Sequence, residues 1–174
     1  MRIVAENAGD RPIVTHPIHW SGVTGCVLDG VIMNLVRFFS ISSSKVEIKN
    51  LKFTRTNTGS ESIQLDVMSE LLMSDSELEV TAVIGTLPGI ASRKLSRAVY
   101  KNVIFRNFGA VLNTREGSEA RLNGITVANS GYILAIDAAR NIALTDEVTW
   151  LDTPETYSPT KNVIGNRNAI NSIQ

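Results

Sequence analysis

The sequence predicts an all-β chain wound as a parallel β-helix, and two observations carry that prediction. Five segments share one pattern: "VEIKNLKFTR" (46–55), "AVYKNVIFRN" (98–107), "EARLNGITVAN" (119–129), "AARNIALTD" (138–146) and "TKNVIGNRN" (160–168). Each sets an Asn just before an apolar–x–apolar triplet, the period-two signature of a strand with one buried face. The composition agrees, with Val, Ile, Thr, Ser and Asn plentiful and helix-favouring runs few.

Aligned on the polar residue before each strand, the repeat starts at Asp29, Asn50, Ser76, Asn102, Asn123, Asn141 and Asn162, at separations of 21, 26, 26, 21, 18 and 21 residues. Repeats of 18–26 residues are too short for helix-pair solenoids and suit one coil of a β-helix, whose strands bond to the coils about 4.8 Å above and below. The Asn then has a physical role. It sits at the bend between two strands, tolerates a left-handed backbone and can stack on the Asn of the next coil. The Asx-Gly variants relieve the same steric problem with a glycine. Seven such coils make a rod about 30 Å long.

Taken in order, residues 1–21 read as an entry and capping segment, with Trp20 covering the first coil. "THPIHW" (15–20) holds both histidines, but nothing nearby completes a metal site. Residues 22–174 form the β-helix. The inward pairs are Val31/Met33, Leu51/Phe53, Leu78/Val80, Val103/Phe105, Ile125/Val127 and Ile142/Leu144. Cys26, the one cysteine, belongs to the core. The region 62–97 departs from the pattern. "SIQLDVMSELLMSD" (62–75) places Ile63, Val67 and Leu71 at helical spacing, and "IGTLPGIASRKLSR" (84–97) reads as an outgrown loop, so one short helix or insertion is expected there. Between the inward positions lie Ile32, Lys52, Glu79, Ile104, Thr126, Ala143 and Ile164, an outward stripe apolar enough to call for coverage.

Seventeen basic residues balance seventeen acidic ones, which argues against a nucleic-acid binder. The longest apolar runs are too short to cross a bilayer, and the N-terminus lacks the regions of a secretory signal. No phosphate-cradling glycine loop or metal cluster appears, so no cofactor or metal is expected.

The coil grammar of "VEIKNLKFTRTNTG" and "KNVIGNRN" resembles the pectate-lyase-like right-handed β-helix superfamily across residues 22–170, and within it the β-helical part of bacteriophage tailspikes. The resemblance implies a right-handed β-helix, a homotrimer, residence in the virion tail, and attachment to a host-cell surface polysaccharide that is bound and in many relatives cleaved. The outward stripe suits three parallel β-helices packed side by side. A free-standing bacterial polysaccharide lyase or epimerase of the same fold stays open, as does a structural spacer. Fold alone does not decide among them.

Glycoside hydrolysis needs two carboxylates across a groove. The densest acidic stretch nominates Asp66, Glu70 and Asp75 as catalytic residues. Lyase chemistry needs a base and a group that neutralises the sugar acid. Arg93, Lys94 and Tyr100 lie close together in "SRKLSRAVYK" (92–101), and Trp150 and Tyr157 offer aromatic faces for stacking sugars. Arg93, Lys94, Tyr100 and Trp150 are therefore the expected substrate contacts.

Overall fold

A computed structural model describes residues 2–5, 9–35, 39–56, 62–81, 88–130, 135–137, 141–144, 148–151 and 163–165. Among them every regular element is a strand, and all the strand pairs are parallel. The chain is a right-handed parallel β-helix. Its first coil is β1 (Arg2–Val4), β2 (Ile13–Val14) and β3 (His19–Ser21), and its second is β4 (Cys26–Asp29), β5 (Ile32–Leu35) and β6 (Phe39–Ser42). Then follow β7 (Lys45–Lys49), β8 (Lys52–Arg55) and β9 (Ile63–Asp66), with β10 (Glu70–Val80) and β11 (Pro88–Ser92) in the next coil. Beyond them come β12 (Arg97–Arg106), β13 (Ala110–Arg115), β14 (Glu119–Ala128), β15 (Ala135–Asp137), β16 (Asn141–Leu144), β17 (Thr149–Leu151) and β18 (Val163–Gly165).

Two sheets enclose the core. One runs β1-β4-β7-β10-β12-β14-β16-β18 and continues round a bend into β2, β5, β8 and β17; the other runs β3-β6-β9-β11-β13-β15. The inward side chains stack in columns. Val31, Leu51, Val103 and Ile125 make one column, and Met33, Phe53, Leu78, Phe105 and Val127 make the next, all buried. Phe105 meets Tyr100 and Phe108 edge-on, with ring centroids 6.4 and 6.1 Å apart. Burying one such side chain contributes about 1.5–3 kcal/mol, whereas a single exposed hydrogen bond contributes about 1 kcal/mol. The columns therefore supply most of the stability, and the polar residues at the bends select the register.

The bend is where the Asn pattern acts. Gly30, Asn50, Asp75, Asn102 and Gly124 stand in register there, all with left-handed φ between 49° and 67°. The Asn50 amide donates to Asp29 Oδ1 at 2.8 Å, and the Asn102 amide donates to Asp75 Oδ1 at 3.0 Å. A second bend repeats the device, with the Asn129 amide donating to Asn107 Oδ1 at 2.8 Å.

The structure corrects several expectations. No helix forms over 62–75. Ile63–Asp66 and Glu70–Val80 are strands, and β10 passes straight through the bend at Asp75. The bend falls on Asp75, not Ser76; Leu78 and Val80 are both buried as expected, but in register with Leu51/Phe53 of the neighbouring coil stand Ser76 and Leu78, and the outward residue that aligns with Lys52 is Glu77, not Glu79. In the Asn-Gly coil it falls on Gly124, not Asn123. Asn141 is not a bend residue at all, because β16 pairs with Glu119–Leu122, ahead of the bend, and β18 pairs with β16 on that same side. The outward stripe therefore reads Ile32, Lys52, Glu77, Ile104, Thr126, and two charged residues interrupt it. Asn162 lies outside the described residues. Within the expected entry segment, β1, β2 and β3 each pair in parallel register with a strand of the next coil. Trp20 is buried in that coil opposite Ile41, and Cys26 is buried as expected.

Gly124 tests the bend. Its φ is +63°, and a Cβ there would lie 2.6 Å from Asn102 Oδ1, which cannot retreat without disturbing its bond to Asp75. Gly22 has a similar φ of +66° with nothing within 4 Å. In urea unfolding, Gly22→Ala should lose about 1 kcal/mol from the backbone alone, and Gly124→Ala about 2–3 kcal/mol. Equal losses would show that the Asn102 contact contributes nothing.

Candidate functional site

The bend that stacks Asn and Asp also opens a cleft of about 410 Å3, lined by Arg11, Asn50, Lys52, Asp75, Glu77 and Asn102, with Leu51 and Ile104 adding apolar surface. Each lining residue has a structural reason to be there. Asn50, Asp75 and Asn102 are the left-handed bend residues of three successive coils. Lys52 and Glu77 are two residues past the bend, face outward and stand in register on neighbouring coils. Arg11 comes from the segment before β2. Its guanidinium donates to Gly30 O at 3.0 Å and also reaches the carbonyl of Asn50, so it clamps the bends of two coils. Beneath the rim, Ser76 Oγ accepts from the Leu51 N–H at 3.1 Å and donates to Ser74 O at 2.6 Å, which satisfies an inward hydroxyl.

The electrostatics of the cleft favour binding over proton transfer. The Asn102 amide and then the Ser74 hydroxyl hold the Asp75 carboxyl below its ordinary value. A general acid needs its proton near the working pH, so Asp75 is poorly suited to donate one. Glu77 accepts from Arg106 Nε at 2.6 Å. Lys52 is exposed beside these fixed acceptors. The result is a row of planar amides, carboxylates and one ammonium presented at coil spacing, suited to a ligand rich in hydroxyl groups.

The structure does not bring the three predicted catalytic carboxylates together. Glu70 and Asp75 lie on one extended strand, five residues apart, or about 16 Å at 3.3 Å per residue. Hydrolases hold their carboxylates about 5–9.5 Å apart. Asp66 ends β9 in the other sheet, across the corner from Glu70. All three are engaged within the chain: Asp66 with Lys94 at 3.3 Å and the Val67 N–H at 3.0 Å, Glu70 with Lys45 at 2.9 Å, and Asp75 with Asn102. Only Asp75 lies in the cleft.

The predicted substrate contacts are also dispersed. Tyr100 is 1% exposed in the core, and burial pushes its phenol well above its ordinary pKa. It therefore cannot meet a ligand on the outer surface, which corrects that expectation. Strand parity is the reason: Ala98 and Tyr100 point inward, while Val99 and Lys101 point out. Lys94 is exposed at the corner, paired with Asp66, and Arg93 beside it donates its N–H to Leu65 O at 3.0 Å. The backbone of Trp150 pairs with Val127 in β17; its side chain, like Tyr157, lies outside the description.

The sequence reading placed Asn50 and Asn102 only at the bend and Lys52 only on the outward stripe, and it missed all three, with Arg11 and Glu77, as site residues. Glu77 was hidden by the one-residue slip at Ser76. Arg11 stands alone before Pro12 and carries no pattern that marks it.

The Asp75 bond has a pH signature. Its folded pKa lies below the ordinary 3.8, so its contribution to stability is present above that value and is lost as pH falls through the folded pKa. Chemical denaturation at about pH 6 and about pH 3 should show a smaller acid-induced loss in Asp75→Asn than in the unaltered chain. Equal losses would rule the bond out as an acid-sensitive link. No family model, curated protein or solved structure matches the chain.

Proposed function

We propose that the chain is a glycan-binding β-helical module of a host-attachment appendage, akin to the phage tailspikes that its coil grammar resembles. The observation that carries this reading is the cleft at the bend, where Asn50, Lys52, Asp75, Glu77 and Asn102 present donors and acceptors from three consecutive coils beside the apolar surface of Ile104. A polysaccharide is a chain of hydroxyl groups, and a repeating row of hydrogen-bonding side chains fixed by the fold matches it with little ordering cost. Cleavage is the weaker half of the reading, because the acids of the cleft are held ionised or paired. On this account the cleft grips the glycan, and a cutting centre, where a spike has one, is built by other residues. The homotrimer of the resemblance draws little support from the outward stripe, which Lys52 and Glu77 interrupt.

Lys52 is the residue to change, since it is exposed and takes no part in the bend ladder. Against a panel of neutral and acidic bacterial surface polysaccharides, Lys52→Ala should bind about three- to tenfold more weakly than the unaltered chain, with an unfolding midpoint within about 1 °C of it. Release of reducing ends or unsaturated sugars from any of them would revive the enzyme readings. Full binding by the variant would remove the cleft, and no binding to any polysaccharide would leave the spacer.

A further inference from the structure

The outward face of β4, β7, β10, β12 and β14, ahead of the bend, is unlike the rest of the surface. Along its outer row stand Lys45, Glu70, Arg97 and Glu119 in register, alternating in charge, with ion pairs Lys45–Glu70 at 2.9 Å and Arg97–Glu119 at 3.0 Å. The next outward row reads Val27, Glu47, Leu72, Val99 and Arg121. Together they line a concavity of about 470 Å3. Beyond the charged row, at the corner, Met68 and Leu95 project from left-handed backbone. Four large apolar side chains are thus in water on just two coils: Met68 at 66% and Leu72 at 42% on one, Leu95 at 50% and Val99 at 39% on the next.

We infer that this face is where a second copy of the chain packs, with the two solenoids antiparallel. A twofold axis in the contact plane, along the strands and midway between β10 and β12, sets β10 against β12 and β7 against β14 of the second copy. Every row then finds its complement. Met68 meets Leu95 of the second copy, and Leu72 meets Val99. Glu70 meets Arg97, Lys45 meets Glu119, and Glu47 meets Arg121. On the third outward row, Lys49 meets Asn123 and Ser74 meets Lys101, so no like charges face each other. The existing ion pairs become closed squares of alternating charge.

The parallel arrangement fails the same test. With the twofold axis along the solenoid and over the Val27–Arg121 row, each coil faces its own copy, which puts Glu47 on Glu47 and Arg121 on Arg121. Moved between the two outward rows, the same axis joins Lys45 to Glu47 and Glu119 to Arg121 but sets Leu72 on Glu70 and Val99 on Arg97, so only the antiparallel pair joins opposite charges and the exposed apolar side chains together. An isologous contact of this sort closes as a dimer and does not propagate.

Glu47 and Arg121 carry the test because both are surface residues and neither belongs to the cleft. The unaltered chain at about 100 µM should have the mass of a dimer by light scattering. Glu47→Arg sets arginine on arginine at both ends of the contact, and Arg121→Glu sets acid on acid, so each variant alone should associate at least about tenfold more weakly. Mixed in equal amounts, the two should pair with each other, because every contact then joins opposite charges again. A monomeric or trimeric mass for the unaltered chain overturns the inference whatever the variants do. So does undiminished association of either variant, or a mixture that stays monomeric.

Discussion

Each coil must turn sharply between its first and second strands while keeping its hydrogen bonds to the coils above and below. Only a left-handed residue at the turn allows both, and a chain of L-amino acids adopts that conformation at low cost mainly with Gly, Asn or Asp. The rest of the structure follows from that requirement. Gly30, Asn50, Asp75, Asn102 and Gly124 meet it in five successive coils. Once the turn is fixed, so is the parity of both flanking strands, and with it which side chains fill the lumen. The same choice shapes the surface. The Asn and Asp side chains line up along the edge, bond to one another, and become a wall of the cleft. Where a glycine takes the place, it leaves room for the neighbour's amide, as Gly124 does for Asn102.

A third corner, ahead of β7, β10, β12 and β14, is solved with serine. Ser44, Ser69, Ser96 and Ser118 are buried there in register. The Ser69 N–H donates to Ser96 Oγ at 3.2 Å, and the Ser96 N–H to Ser118 Oγ at 3.0 Å. The Ser44, Ser96 and Ser118 hydroxyls each accept from a backbone N–H of the preceding coil, and Ser69 Oγ donates to Ile41 O at 2.9 Å, which offsets the cost of burying these groups. The residues just before the serines bear the strain. Val67, Met68, Lys94 and Leu95 all have left-handed φ, an uncommon conformation for side chains of this size. Their exposure is a consequence of the corner's geometry, and it places Met68 and Leu95 beside the charged row.

The sequence made the period-two strands and the polar residue at the bend legible, because both depend on local chemistry that repeats. Registers at Ser76 and Asn123 were not legible. In "SDSE" and "RLNGI" two adjacent residues suit a bend, and only stacking against Asn50 and Asn102 decides that Asp75 and Gly124 take it. The expected helix at 62–75 failed for a related reason. Ile63, Val67 and Leu71 fit a helical stripe, but Ile63/Leu65 and Leu71/Met73 fit two strands equally well, and the coils on either side reward the strands. The serine corner went unread, although "SKVEI", "SELLM", "SRAVY" and "SEARL" share a Ser followed by a charged residue and an inward apolar one, because a lone Ser before a strand does not stand out from an ordinary turn residue. Asp66, Glu70 and Asp75 illustrate the converse. Clustering in sequence means little when an extended chain separates residues by about 3.3 Å per step.

The charged row has little to do with keeping the coils stacked. Ion pairs between exposed side chains contribute about 0–1 kcal/mol each, less than one buried Leu or Phe of the lumen. Four residues of alternating sign at one strand position, Lys45, Glu70, Arg97 and Glu119, are therefore weakly constrained by stability. A solenoid can vary such a row without disturbing its core, since outward and inward positions alternate and each coil contributes one residue to every row. Charge on a surface of this kind acts through what approaches it, by favouring one relative orientation and opposing others. The cleft and the charged face thus draw on the same coils but on different rows of them. Inward columns hold the rod together, the bend fixes its register, and the outward rows remain available for recognition.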